Sequence, residues 1–399
     1  MAQLSERMSR VEASPTLKVA AEAERLRAAG VDIVDMGAGE PDFATPDHIT
    51  EAGRRALDAK FTKYTSNVGI QELRQAIVDR YREWYGVSYT PAEAIVTAGG
   101  KQAMYNAALA LFGPGDQVIV HSPGWPTIPE QIKLAEAEPV VVRTHAEDGF
   151  RLHATDFLAA ITPRTRGIVI NSPTNPTGAL IAEEELRAIA QEAARRGIFV
   201  MLDLCYERLI YDPVPHNLPG IMAELNRDRT ILCGSTSKAY AMTGWRCGWA
   251  LGPIDIIKAC AAIQSNATSN VNSIAQKAAV AALRGPQDCV TRMLDEYRTR
   301  RDALCRLLGQ DPRLRAVTPS GAFYLFVDVS DLLSPDGIRT SAEFAQALLD
   351  DARVVLTAGE AFDAPGFIRI SYATSMDRLE EGARRIHGFV RERVGAPAA

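Results

Sequence analysis

The sequence predicts an α/β fold: a seven-stranded, mainly parallel sheet in a large domain, with helices on both faces, joined to a smaller α+β domain. Three observations lead there. Short runs rich in β-branched residues recur from Ala94 onward, the segments between several of them are long enough for crossover helices, and the alternation breaks off near Ala281. Length agrees, because 399 residues exceed the roughly 250–300 at which single cores stop growing. We expect an N-terminal arm and part of the small domain at 1–45, the large domain at 46–285 and the small C-terminal domain at 286–399.

In chain order, 17–29 sets Leu17, Ala20, Ala21 and Leu26 among charged residues at helical spacing. Gly30 follows as a stop signal, so this segment is predicted to be a helix. The strand candidates are 94–96, 117–120, 140–142, 167–170, 199–202, 230–233 and 248–251. Residues 101–112 and 183–196 are the clearest crossover helices, and Gly113-Pro114-Gly115-Asp116 is a turn. A long charged segment (287–308), a strand-like run (322–329), a helix around 342–351, a strand at 367–372 and a last amphipathic helix make up the second domain. No internal repeat or low-complexity linker interrupts the chain.

Composition narrows the function. With 47% hydrophobic and 23% charged residues the chain is globular, and a formal charge of -5 provides no basic field for nucleic acid. No apolar run reaches the roughly 18 residues that span a bilayer, and residues 1–10 are polar, so a cytoplasmic protein with no membrane partner is expected. The six cysteines and six histidines are scattered without metal-ligand spacing, so no metal is expected and the thiols are read as reduced.

Ligands of open α/β sheets sit beyond the carboxyl ends of the strands, which directs attention to the loops there. After the first strand, Thr97-Ala98-Gly99-Gly100-Lys101-Gln102-Ala103 opens a helix with a glycine pair. That suits an anion held by backbone N–H groups, although a tight turn would use the same residues. After the fourth strand, Asn171-Ser172-Pro173-Thr174-Asn175-Pro176-Thr177-Gly178 presents Asn175 from a stiff loop, or is only a turn. Asp203 ends the fifth strand with Tyr206 three residues on; it is either a buried acid needing a cation or a helix cap.

The sixth strand runs into Gly234-Ser235-Thr236-Ser237-Lys238-Ala239-Tyr240-Ala241-Met242-Thr243-Gly244-Trp245-Arg246. Here one phosphate could bind Ser235, Ser237 and Arg246 while Lys238 forms an imine. A lone loop lysine is ordinarily just solvated, but these flanking residues argue against that.

Together and in order, Ser-x-Ser-Lys-x-Tyr-x-Met-x-Gly-x-Arg, Asn-Ser-Pro-x-Asn-Pro-Thr-Gly, Gly-Gly-Lys-Gln-Ala, Asp-x-x-Tyr and the early Gly39-Glu40-Pro41-Asp42-Phe43 resemble the class I/II aminotransferases of fold type I, which use pyridoxal 5'-phosphate (PLP). The resemblance spans nearly the whole chain and is closest to the bacterial aspartate and prephenate aminotransferases. It implies that Lys238 is the Schiff-base lysine and proton-transfer base, and that Asp203 pairs with the pyridinium nitrogen. Tyr206 and Asn175 would bond the ring 3-oxygen and Trp125 would stack on the ring. Gly99, Gly100, Lys101, Ser235, Ser237 and Arg246 would surround the phosphate, joined by Tyr64 of the partner subunit in a homodimer with shared sites. Arg369, in Ile368-Arg369-Ile370-Ser371-Tyr372, would hold the substrate α-carboxylate; without the resemblance it reads equally as an edge-strand charge. Gly39 would line the substrate pocket.

The resemblance further implies ping-pong amino transfer between aspartate or glutamate and oxaloacetate or 2-oxoglutarate. Lys101 would meet the second carboxylate, unless it is only a solvent-facing helix-start residue. Three positions depart from the subgroup. Glu12, aligned through Ser14-x-Thr16, stands where a basic residue is frequent, which disfavours prephenate; Gly124 replaces an aromatic before Trp125 and is expected to enlarge the pocket; and Leu204-Cys205 replaces Glu-Ile or Glu-Val beside Asp203. The competing readings are an aromatic or neutral amino acid aminotransferase, a PLP β-lyase, a non-catalytic binding protein of the same fold, and a nicotinamide dehydrogenase, whose G-x-G-x-x-G fingerprint is missing.

Overall fold

The computed structural model describes residues 5–13 and 15–393. Ser14, through which Glu12 was aligned, and residues 1–4 and 394–399 of the expected terminal segments lie outside the described residues.

Seven strands form the large sheet: β1 (Ala94–Thr97), β2 (Gln117–Ser122), β3 (Glu138–Arg143), β4 (Thr165–Asn171), β5 (Phe199–Asp203), β6 (Thr230–Ser235) and β7 (Gly248–Leu251). Their order is β1-β7-β6-β5-β4-β2-β3. β7 pairs antiparallel with both β1 and β6, and the remaining pairs are parallel. All seven segments expected from the sequence are strands of this sheet.

Strand residues alternate between two cores, as period-two geometry requires when both faces are covered. Ile168, Ile170, Val200, Leu202 and Leu232 pack into one apolar cluster with Leu186 and Ile189 of the helix Glu183–Arg196. Val169, Met201, Ile231 and Cys233 pack into the other, with Ala103, Met104 and Ala107 of the helix Gly100–Leu111.

A third cluster is built by the long helix Asp288–Leu308, the final helix Met376–Arg393 and a four-stranded antiparallel sheet. That sheet runs in the order Thr357–Ala358, Phe367–Ser371, Tyr324–Asp328, Arg315–Ala316. The N-terminal helix Pro15–Ala28 leads into Val34–Asp35, which pairs parallel with Val354–Val355, and Val34 and Met36 are buried in this third cluster. The chain therefore passes through the second unit before it enters the first, and residues 36–43 run along the seam where both meet. Among the described residues, no helix is long and apolar enough to cross a membrane.

Candidate active site

Cross-strand register brings the strand ends together. Asn171 at the end of β4 lies opposite Asp203 at the end of β5, Asp203 lies opposite Cys233 of β6, and Ser235 lies opposite Gly248 of β7. Beyond these ends is a cavity of about 450 Å³. It is lined by Gly39, Gly100, Lys101, Trp125, Asn175, Asp203, Tyr206, Ser235, Ser237, Lys238, Arg246 and Arg369. Of the residues singled out in the sequence, Gly99 and Tyr64 lie outside its walls. Gly99 sits just behind: at φ 80° it precedes the helix Gly100–Leu111, and a Cβ there would lie 2.7 Å from Nη2 of Arg246. Tyr64 is 91% exposed on the loop before the helix Gln71–Tyr85.

At one end, Ser235, Ser237, Arg246 and the start of the helix at Gly100 converge. The first-turn N–H groups of a helix have no intrahelical acceptors and carry its positive dipole end, so this corner suits an anion. Arg246 donates to the carbonyls of Ala98 (3.1 Å) and Thr243 (3.0 Å) and, among the described residues, has no carboxylate partner. Its left-handed backbone, φ 53°, turns the chain so that the guanidinium points back at the glycine pair.

In the middle, Lys238 donates to the Gly39 carbonyl at 2.5 Å. Asp203 is 4% exposed and accepts the Cys205 N–H at 3.1 Å. Burial pushes its carboxyl up to about 6, with the Cys205 N–H and the Lys238 charge opposing the rise. The Cys205 thiol lies 3.4 Å from the Ser235 hydroxyl and is pushed up to about 11 by burial and by the nearby Asp203, so it stays protonated.

At the other end is Arg369, 2% exposed. It donates to Asn175 Oδ1 (3.1 Å), the Gly37 carbonyl (2.8 Å) and, at 3.4 Å, Thr357 Oγ1, while its buried Nε has no partner. Its guanidinium lies over the rings of Tyr324 and Phe362. Among the described residues it makes no ion pair, and desolvation lowers its pKa. A fully buried guanidinium with a spare donor and no counter-charge is suited to receive a carboxylate. Tyr206 and Tyr324 share a hydroxyl–hydroxyl bond of 2.8 Å above the same space.

Lys101 is exposed at the mouth with Nζ 5.0 Å from the Trp125 ring centre. Desolvation by the walls, then the charges of Arg246 and Lys238, lower its pKa. Gly124 lines an adjoining chamber. A Cβ there would sit 2.4 Å from the His121 carbonyl, so on this backbone the close approach favours glycine. Asn171, Gly37 and Tyr324 were not singled out from the sequence. Asn171 Oδ1 accepts the Asn175 N–H at 2.9 Å and so fixes that loop; its place at a strand end just before Ser172-Pro173 was the available signal. Tyr324 begins an apolar run and looks like any core aromatic.

The residues fit pyridoxal phosphate. There is a corner suited to a phosphate, a buried acid without a cationic side-chain hydrogen bond that could meet a pyridinium N–H, and between them a lysine with no carboxylate partner among the described residues. Fold and site together are those of an α/β enzyme with a cavity suited to anionic ligands. Residues 31–386 match the aminotransferase class I and II family, and the chain belongs to it. It is 41% identical to the aspartate aminotransferase of Geobacillus stearothermophilus, over 98% of this chain and 100% of that protein. To the aspartate/prephenate aminotransferase of Cereibacter sphaeroides it is 42% identical, over 98% and 99%. The crystal structure of the aspartate aminotransferase from Rhizobium meliloti superposes with a TM-score of 0.93 at 38% identity, over 99% of this chain and 100% of that one. The chain is a PLP-dependent aminotransferase of fold type I.

Proposed function

We propose that the protein moves the amino group of aspartate or glutamate to 2-oxoglutarate or oxaloacetate by a ping-pong mechanism, as a homodimer with shared sites. The observation that carries this reading is Arg369, a buried cation with an unpartnered Nε in the same cavity as Lys238 and Asp203.

The phosphate would be held by Ser235, Ser237, Arg246 and the Gly100 and Lys101 N–H groups, with Tyr64 supplied by the partner. A tyrosine as exposed as this one is suited to reach a neighbouring subunit. Asp203 would keep the ring nitrogen protonated, Asn175 and Tyr206 would bond the ring oxygen, and Trp125 would cover one ring face. When bound, the cofactor supplies an electron sink for the charge left on Cα. Arg369 orients the α-carboxylate by a two-pronged bond, which sets the Cα–H toward Lys238. Lys238 Nζ would be the base that takes the Cα proton and serves the 1,3-proton shift.

Lys101 is the cation available to a second carboxylate. Glu12, on the wall of the adjoining chamber, disfavours prephenate, which would carry its own carboxylate that way. Mixing cofactor-loaded protein with single amino acids and following the absorbance of the lysine-bound cofactor tests the reading. Conversion by aspartate and glutamate ahead of alanine supports it; conversion by none refutes it.

A further inference from the structure

Residues 37–45 pass along the edge of the cofactor cavity without regular structure, and Gly37, Ala38, Gly39 and Glu40 line it. The Met36 carbonyl accepts the Ser371 N–H at 2.7 Å and the Pro46 carbonyl accepts the Ile49 N–H at 2.9 Å. Between them, among the described residues, no backbone–backbone hydrogen bond is made. Such a segment takes its position from side chains. Its carbonyls nonetheless reach both groups on which the reaction depends. Gly37 accepts from Arg369 Nη2 at 2.8 Å, and Gly39 accepts from Lys238 Nζ at 2.5 Å.

The side-chain ties run two ways. Toward the turn that carries Lys238 and Arg246, Glu40 accepts the Thr243 hydroxyl at 2.8 Å, and Thr45 donates to the Ala241 carbonyl at 2.6 Å and accepts from Trp245 Nε1 at 3.0 Å. Toward the second unit the tie is an ion pair, in which Arg300 Nη1 of the helix Asp288–Leu308 donates to Asp42 Oδ1 at 2.8 Å. The Arg300 side chain is 7% exposed and also donates to Glu296 at 2.9 Å. Its guanidinium lies 5.0 Å over the Phe43 ring, which meets Tyr297 edge-on at 5.3 Å. Neither Asp42 nor Arg300 lines the cavity, so the pair acts on it only through the segment.

We propose that Arg300 is a positioning residue for substrate binding: by clamping Asp42 and Phe43 it fixes residues 37–45, so that the Gly37 carbonyl holds the Arg369 guanidinium in the plane that a substrate α-carboxylate needs. A guanidinium is planar, so its bonds to Gly37 and Asn175 together set the direction of its remaining donors. With the Gly37 bond loosened the plane swings, and an arriving carboxylate must restore it. That cost falls on binding more than on the rate of substrate already bound. This rests on the aminotransferase reading above.

The test is a double-mutant cycle on the cofactor-loaded protein. Arg300→Met keeps an apolar stem against Phe43 and Tyr297 and leaves Asp42, 28% exposed, to water. Arg300→Met and Asp42→Ala should each raise the half-saturation for aspartate, glutamate and alanine alike by about 3–30-fold, part of the worth of a charged hydrogen bond, with limiting rates within about threefold. The double variant should be no worse than the worse single one, because the two residues act as a unit. Calorimetric titration with succinate, a carboxylate without an amino group to transfer, should show the same weakening. Arg301→Met is the control for a merely structural loss. It is next on the same helix, its guanidinium faces the Pro319 carbonyl and Asp212, and it should leave half-saturation and succinate binding within about twofold. Unchanged half-saturation and succinate binding in Arg300→Met, additive losses in the double variant, or equal weakening by Arg301→Met would overturn the proposal. If Arg300→Met does not fold, Asp42→Ala decides by the same criteria. A wild type that bound succinate but converted no amino acid would overturn the aminotransferase reading, and the succinate titrations would still decide the role of Arg300.

Discussion

Replacing Asp203 by Asn should stabilise the cofactor-free chain at alkaline pH while weakening its hold on the cofactor. Asp203 is 4% exposed, and its carboxyl rises from an ordinary 3.8 to about 6, chiefly through desolvation. A raised folded-state pKa in an acid means that the folded chain holds the proton more tightly than the unfolded one. This group therefore leaves stability unaffected below about pH 4, lowers it progressively between about pH 4 and 6, and adds no further loss above that. The loss by pH 8 is about 3 kcal/mol, from roughly two pK units at 1.36 kcal/mol each. Asn is neutral throughout and keeps an oxygen for the Cys205 N–H. Its new buried N–H₂ costs about 1–2 kcal/mol, which leaves a net gain of about 1–2 kcal/mol at pH 8. For 399 residues at about 2.1 cal/mol/K per residue, that is roughly 1–2 °C in Tm. Glu207, which burial pushes up to about 7, titrates in both proteins and cancels to first order in the difference. Melting both cofactor-free proteins from pH 4 to 8, with an absorbance titration of added PLP, measures the two effects. A variant that melts below wild type at pH 8, or a gap that fails to shrink toward pH 5, would refute the reasoning.

Three other substitutions test separate parts of the site. Lys238→Ala should bind PLP noncovalently and lose several orders of magnitude in turnover, because no other base lines the same point of the cavity; near-normal turnover would remove Lys238 from the chemistry. Arg369→Lys should lower kcat/KM about 10²–10⁴-fold for every amino acid alike, the loss of a bidentate charged pair worth about 3–5 kcal/mol, and a loss confined to dicarboxylates would reassign this arginine. Lys101→Ala should raise the KM for aspartate and glutamate about tenfold or more and leave alanine near its original value. An equal effect on all three would show that Lys101 acts on the phosphate and not on the side chain.

The strands of the large sheet were legible because both faces are covered. Ile168, Val169 and Ile170, or Val200, Met201 and Leu202, read as continuous apolar runs, which few other structures require. The paired two-residue strands Val34–Asp35 and Val354–Val355 were not legible, since no period can be read from two residues and their pairing joins distant parts of the chain. Ser235, Ser237, Lys238 and Arg246 stood out because a phosphate and an imine need those groups within one short segment. The opposite holds for Tyr324. It has an ordinary neighbourhood in sequence, and its place at the cavity depends on what another element sets beside it, the hydroxyl of Tyr206.

The cavity's charges explain why so much of it is unpaired. Lys101, Lys238, Arg246 and Arg369 line it against two acids, Asp203 and Glu40, and Glu40 is turned toward the Thr243 hydroxyl at 2.8 Å. Four cations against one inward acid would suit anions at both ends and a single cation in the middle. Arg369 and Asp203 are the two most buried of these groups, and neither is neutralised by a side chain at hydrogen-bond range. Pairing them with protein partners would remove the desolvation penalty that each carries, and would also occupy the bonds that a carboxylate and a pyridinium need. The two substitutions at these positions should therefore separate stability from function. Asp203→Asn should gain stability in the cofactor-free chain, Arg369→Lys should lose little, and both should lose activity. If either residue proved to be a net stabiliser of the cofactor-free protein, its isolation in the cavity would need a structural explanation in place of a functional one.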